Sequence, residues 1–523
     1  MARTAVPFLL LLLLGTLLCA ASSREWERER EEEQGRHERR GRGGDWRRGE
    51  EGEEQEEHRR PYVFGRRSFR RTAGGEHGSI RALRPFHEAS ELLRGIRDYR
   101  VTVLEASPRA FVVPAHTDAD SIGYVVQGEG VVTTIQNGEK RSYAIREGHV
   151  IVAPAGAVTY FANTDGRRKL VIAKILHTIS VPGHYQFFFG AGGRNPESIV
   201  SSFSKSVQRA AYKTSSDRLE KLFGRQDKGV VVRASEQQVR ELRRHASEAG
   251  HGGQHWPLPP FGESHGPYSL LDQRPRIANR HGQLYEADER SFRDLAEHDV
   301  RVSFVNITAG SMSAPFYNTR SIKIAYVVEG EGHAEIVCPH LSQRGETQHG
   351  ERRERQGRSE RREQQRESEE SEEERWREKG SESEESEEQQ AGQGYQTIRA
   401  RLSRGTVFVV PVGHPVVEVA SRDSNLQIVC FEVQARQNER VYLAGQNNVL
   451  RKLDNAAKEL AFAASAREVD EVLDAQRDQG FFAGPEEQSG QEREREEERE
   501  GRRGRGRRED VAETLLRMAT GRL

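Results

Sequence analysis

A thiol and an imidazole stand two residues apart in Cys338-Pro339-His340. On a strand, residues i and i+2 share a face, so this spacing aims both groups at one place. His414, in Pro411-Val412-Gly413-His414, offers a second imidazole. A thiolate with two imidazoles suits copper, and zinc less distinctively. The competing reading is structural. Cys338 is then a buried thiol or pairs with Cys430, and His340 begins an exposed loop. Nucleophilic catalysis has less to build on, because no Gly-x-Ser-x-Gly elbow occurs. Asn306-Ile307-Thr308 is the one glycosylation sequon. Asn306 shares strand parity with Val302 and Phe304, which points its side chain inward and against modification.

These residues sit in a chain of 523, long enough for two or more domains. Apolar residues make up 34% and charged residues 31%. The first figure is low and the second high for a globular chain, so one core cannot span the whole length. The 82 acids and 81 bases nearly cancel. That excludes a nucleic-acid binder driven by a basic surface. Three Cys and three Met leave no material for a disulfide scaffold or a cysteine-rich zinc module.

The first residues read as an export signal. Arg3 precedes an apolar run from Val6 to Leu18, and Ala20, Ala21, Ser22 and Ser23 follow. About thirteen apolar residues are too few to cross a bilayer core of about 30 Å. No second apolar run exists, so no membrane association is expected once 1–23 is removed. Three further stretches, Glu25–Arg60, Ser342–Gly394 and Glu486–Arg508, are almost wholly Glu, Arg, Gly, Gln and Ser. They cannot bury enough apolar surface to offset about 1–2 kcal/mol of chain entropy per residue and read as disordered. Glu interleaved with Arg argues against RNA binding.

What remains repeats itself. Tyr124-Val-Val-Gln-Gly-Glu-Gly130 matches Tyr326-Val-Val-Glu-Gly-Glu-Gly332, offset by 202. Gly148…Pro154-Ala-Gly156 matches Gly405…Pro411-Val-Gly413, offset by 257. The difference is close to the length of the charged stretch after His340. Upstream, Pro61-Tyr62 matches Pro267-Tyr268; downstream, Tyr212…Leu219…Leu222 matches Phe462…Val469…Val472. Each unit is strand-rich, then helical. Val300, Val302 and Phe304 alternate with Arg301 and Ser303 as a half-buried strand. Asn137-Gly138 and Pro154-Ala-Gly156 mark turns between short strands, the pattern of a small barrel or jelly roll. Asp217–Phe223 and Glu468–Leu473 have helical spacing, and Ser465-Ala-Arg-Glu468 reads as a capping box. The apolar stripes Leu219, Leu222, Phe223 and Val469, Val472, Leu473 are too small for a separate bundle and are expected to pack on another subunit or on the sister unit.

The organisation predicted is thus a signal peptide at 1–23, a charged segment at 24–60, a barrel with a helical arm at 61–225 and a linker at 226–264. A second barrel with arm follows at 265–485, interrupted by an insert at 342–394, and a charged tail at 486–523. The fold class is mainly β with helical arms.

Gly148-x5-Pro154-x-Gly156-x2-Thr159-x3-Asn163 fits the second cupin motif except that Thr159 stands at the metal histidine. In the second copy Val416 stands there and Ala420 replaces the final Asn. Gly128 and Gly330 end the first motif. The chain therefore resembles a bicupin, and more closely the 7S globulins (vicilins) of seeds, of the cereal-embryo type. Arg60-Pro-Tyr-Val-Phe-Gly-Arg-Arg-Ser-Phe-Arg70, Pro154-Ala-Gly-Ala-Val-Thr-Tyr160 and Tyr268-Ser-Leu-Leu-Asp-Gln-Arg274 carry that resemblance, which covers about Arg60 to Pro485. It implies two tandem β-barrel cupin units, a homotrimer joined through the helical arms, deposition in protein storage vacuoles, and a nutrient reservoir without catalysis. Several members are food allergens.

Active cupins hold a metal with about three His and a Glu inside the barrel. Here the first copy offers His116 alone, with Ser121 near the Glu position; His116 is expected as a hydrogen-bonded residue of the barrel mouth. The second copy has Phe316 and Tyr317 in that region. No oxalate oxidase or dioxygenase is expected, and storage requires no cofactor. The alternative is a copper- or small-ligand-binding cupin using the second barrel. Some vicilins bind copper through a Cys-x-His pair and the His of the Gly-His-Pro turn, with a Tyr from the N-terminal segment nearby. The resemblance implies Cys338, His340, His414 and Tyr62 for those roles.

Arg supports storage independently: 11 of the 81 basic residues are Lys, so 70 are Arg, each carrying four nitrogens. A net charge of −1 removes self-repulsion and favours dense packing. Added salt should then raise solubility, because attractions between neighbouring molecules are screened beyond about 8 Å at 0.15 M. Turbidity near neutral pH that does not fall with salt would refute this packing argument.

Overall fold

The computed structural model describes residues 61–246, 266–341 and 395–485. The expected signal peptide, the charged segments 24–60 and 486–523, the insert 342–394 and residues 247–265 of the expected linker lie outside them. All the elements below belong to the compact unit Tyr62–Leu523.

Alternating residues extend the chain, and small turn-formers reverse it. Asn137 and Gly138, both at positive φ (53° and 80°), close a two-residue hairpin between Glu129–Gln136 and Glu139–Arg146. Gly128 and Gly330 have φ of 86° and 88°. A Cβ on Gly128 would strike the Lys169 carbonyl, and one on Gly330 the Asn425 carbonyl. These two motif glycines are therefore backbone requirements.

Each copy is a pair of antiparallel sheets. In the first, a seven-stranded sheet runs Tyr268–Ser269, His149–Ala153, Ala119–Gln127, Leu170–Thr178, Tyr99–Ala106, Gly78–Leu83, Phe69–Gly75. Opposite it lie Phe187–Phe188, Ala110–Thr117, Val158–Asn163, Glu129–Gln136 and Glu139–Arg146. The second copy repeats this with Val63–Phe64, Val407–Val410, Ile322–Glu329, Leu426–Val433, Val300–Ile307, Gly282–Ala287 and Ile277–Asn279. Its facing sheet holds Gln396–Ser403, Glu331–Cys338, Val416–Ala420, Ser311–Ser313 and Phe481–Ala483.

The entry segments are exchanged. Val63–Phe64 pairs with Phe408 and Val407 of the second barrel, while Tyr268–Ser269 pairs with Val150 and His149 of the first. This exchange cuts across the division at 61–225 and 265–485 read from the sequence. The expected linker at 226–264 also differs: Val231–Arg233 pairs with Ala110–Val112, and Glu236–Arg244 is a helix opened by a Ser235–Gln238 capping box. Val231 is fully buried, which gives that segment its reason to fold.

One core cluster contains Val101, Ile122 and Tyr124 of the first copy with Val302, Phe304 and Ile324 of the second. Tyr124 and Phe304 stack across the join, ring centroids 5.8 Å apart. The strand Val300–Ile307 is consequently buried on both faces along much of its length, Ser303 included, and is not the half-buried strand expected. A second cluster, with Ile80, Leu104, Val132, Phe161 and Ile172, fills the first barrel.

Helices Lys205–Tyr212 and Ser216–Phe223 follow the first barrel, and Asn455–Phe462 and Ala466–Leu473 the second. Ser465 Oγ accepts from Glu468 N at 3.3 Å, the serine half of the expected capping box. The two stripes divide. Leu219 and Val469 are buried within the chain, whereas Leu222 and Val472 are 62% and 71% exposed.

Candidate functional site

The strand Glu331–Cys338 ends at Cys338, so His340 lies beyond it and strand parity does not bring the two together. The neighbouring turn does. After Val407–Val410 the chain reverses through Gly413, whose φ is 73°, and presents His414 before Val416–Ala420 begins. Tyr62 arrives from the exchanged entry segment, held by Val409 N donating to Tyr62 O at 2.8 Å.

The result is a cluster in which single ligand atoms of Cys338, His340 and His414 all lie within 4.8 Å of one another. His340 and His414 stack at 5.3 Å, only 9° from parallel. Tyr62 meets His414 edge-on at 5.8 Å, and its hydroxyl lies 3.5 Å from Cys338 Sγ. Cys338, His414 and Tyr62 are buried and His340 is exposed, so the group has one open side. His414 Nδ1 sits 3.0 Å from the Val412 carbonyl, to which it donates; Nε2 then carries the lone pair. Nε2 is buried with no hydrogen-bond partner. Burial holds the His414 imidazolium pKa below its ordinary value. Burial first, then the Cys338 contact, pushes the Tyr62 phenol up, so it stays protonated. A soft sulfur, two imidazoles and an orphaned buried lone pair fit a thiophilic metal ion. Cys338 and Cys430 are both free thiols, which removes the disulfide alternative. Burial raises the Cys430 thiol to about 12.

The barrel interiors differ from a catalytic cupin. In the second, Lys323 pairs with Glu418, and Phe316 lies 5.2 Å beneath the ammonium. In the first, Ser121 and Thr159 line an apolar cavity with Ala115 and Thr117. His116 is not among the lining residues; its ring stacks on Phe188 at 5.0 Å, in place of the expected hydrogen-bonded mouth position. Asn306 is paired on both sides, with Gln283 and Gln427, and its Oδ1 is buried without a partner. Sequence reading missed a second cluster, His87, Glu88 and His184. The His87 and His184 rings stand 6.5 Å apart. Nothing local joins residues so distant in the chain, so only the fold reveals it.

Family comparison agrees with this architecture. The cupin family model matches residues 87–175 and 268–470. Globulin-1 S allele of Zea mays is 68% identical over 494 residues, covering 89% of this chain and 82% of that protein. A 63 kDa globulin-like protein of Oryza sativa subsp. japonica is 71% identical over 472 residues, covering 90% and 83%. Among solved structures, the vicilin of Corylus avellana superposes with a TM-score of 0.66 at 38% identity, covering 81% of this chain and 99% of that one. With two barrels, duplicated motif glycines and relatives of this similarity, the chain belongs to the cupin family, as a 7S globulin of the vicilin type.

Proposed function

We infer that the chain is a seed storage protein, a reservoir of nitrogen mobilised on germination. Its likeness to cereal globulins along most of its length carries the reading, and its 70 Arg residues give the chemistry. The reading includes delivery through the secretory pathway to protein storage vacuoles, no catalysis and no required cofactor. Protein quantified through germination should fall steeply as free arginine appears. A level that holds constant until seedling growth would refute the role.

A homotrimer through the helical arms is the assembly we propose. Phe203 and Leu453, Tyr212 and Phe462, and Leu222 and Val472 are pairs at one offset of 250, and all six side chains are exposed. Equivalent apolar patches at the two ends of a duplicated chain suit a head-to-tail ring, which closes. Replacing Leu222 and Val472 together by Asp should reduce the mass by light scattering from three chains to one. An unchanged mass would place the contact elsewhere.

Copper held by Cys338, His340 and His414, with Tyr62 beside the thiolate, is a second reading, favoured by the orphaned Nε2 of His414. Bound there, it would supply a store of metal and a staple for the barrel mouth. The buried Oδ1 and double pairing of Asn306 support an unmodified sequon. Elemental analysis of natively purified protein should find copper near one per chain, lost in Cys338→Ala. Copper unchanged in that variant would exclude the site.

A further inference from the structure

The two barrels solve the same interior problem in opposite ways. Strand register aligns Lys323 with Ser121, since they pair with Val410 and Ala153 at equivalent turns. It aligns Glu418 with Phe161, which pair with Ala334 and Val132, and Cys430 with Lys174, which pair with Ala325 and Gly123. In the second barrel the buried lysine has its carboxylate, Glu418. In the first barrel the lysine comes from a different strand, and the acid's position is a phenylalanine. Lys174 Nζ lies 4.2 Å from the centre of the Phe161 ring. Among the described residues no carboxylate stands within ion-pair distance of it.

The local structure is shaped for that side chain. Thr102 opposes Lys174 on one side of the strand and Gly123 on the other. A Cβ on Gly123 would come within 3.2 Å of Lys174 Cγ, so the absent side chain leaves room for the stem. Lys174 faces a cavity of about 70 Å³, open at its mouth. Ile80, Leu104, Val112, Leu176 and Phe187 make most of its wall apolar, and Thr102, Thr117, Ser121 and Thr159 add hydroxyls. Burial alone lowers the Lys174 ammonium to about 8, and no neighbouring charge contributes. An unpaired ammonium in such a wall is disfavoured, and the neutral amine is a nucleophile.

We propose that Lys174 captures small apolar aldehydes as imines inside the first barrel. The neutral amine's lone pair attacks the carbonyl carbon, forming the C–N bond while the C=O π pair moves to oxygen. The carbinolamine then loses that oxygen as water, together with the two hydrogens the amine carried, and C=N remains. Thr117 and Thr159 donate to the Ala119 and Ala157 carbonyls, which leaves Thr102 and Ser121 as the wall hydroxyls free to donate to the carbonyl oxygen. The apolar lining selects an alkyl or aryl tail over a sugar. This activity goes beyond storage and does not depend on it.

The test is reductive trapping. Full-length protein is incubated with hexanal and sodium cyanoborohydride at neutral pH, and labelled peptides are mapped by mass. Ten other lysines, among them the exposed Lys140 and Lys221, serve as internal controls. Lys174 should be labelled about tenfold faster than these, because burial enlarges its neutral fraction and the cavity concentrates the tail. Labelling of Lys174 no faster than that of exposed lysines overturns the proposal. Phe161→Glu would install the sister barrel's carboxylate and hold the amine protonated. It should lose about tenfold in Lys174 labelling, whereas Phe161→Leu should keep it. A folded Phe161→Glu that labels as fast as the parent also overturns it. If that variant fails to fold, the parent's site selectivity still decides.

Discussion

The packing of the two seven-stranded sheets against each other, locked by the exchange of entry segments, is the constraint on which the rest depends. Neither sheet is complete from its own copy. Val63–Phe64 finishes the second and Tyr268–Ser269 the first. Every such pairing satisfies backbone groups that would otherwise be buried without partners. The shared apolar core through Tyr124, Phe304, Val302 and Ile324 makes the association largely hydrophobic. The exchange also explains why a residue near the start of the described chain, Tyr62, sits beside Cys338 of the second barrel.

Duplication under that constraint left the barrel interiors free to diverge. The outer faces of both large sheets must remain apolar to pack on each other, but each interior is closed off separately. The second is filled by charge: Lys323 with Glu418, and Arg440 with Glu432 at 2.6 Å and Glu286 at 3.0 Å. Buried pairs of this kind are stable only when each charge has its partner. The first barrel keeps a cavity and, in Lys174, a cation over the Phe161 ring. Catalytic cupins place metal-binding histidines at positions occupied here by Thr159 and Val416. The glycines at 128 and 330 serve the turns instead, with φ of 86° and 88°.

Storage makes few chemical demands on such a scaffold. The protein must be compact enough to pack and rich in nitrogen. Two barrels sharing a core meet the first demand. Arginine-rich composition meets the second, and the near-zero net charge suits packing. The cluster of Cys338, His340, His414 and Tyr62 sits at a rim, with His340 on its open side, without altering the fold.

The duplicated motifs, the turns at Asn137-Gly138 and Pro154-Ala-Gly156 and the helices after each barrel were legible in the sequence alone. These are local properties: a positive φ favours glycine or asparagine, and periodicity reports which face is buried. The pairing of Cys338 and His340 was also visible, although for the wrong geometric reason, since the strand ends between them. Tertiary structure alone decided which copy owns Tyr62, that Val231–Arg233 joins the first sheet, and that Leu219 turns inward while Leu222 stays out. It alone showed that Lys174 faces Phe161 where Lys323 has Glu418. Each of these depends on contacts between residues far apart in the chain, and burial of a charge or a ring is set by what the whole fold places around it.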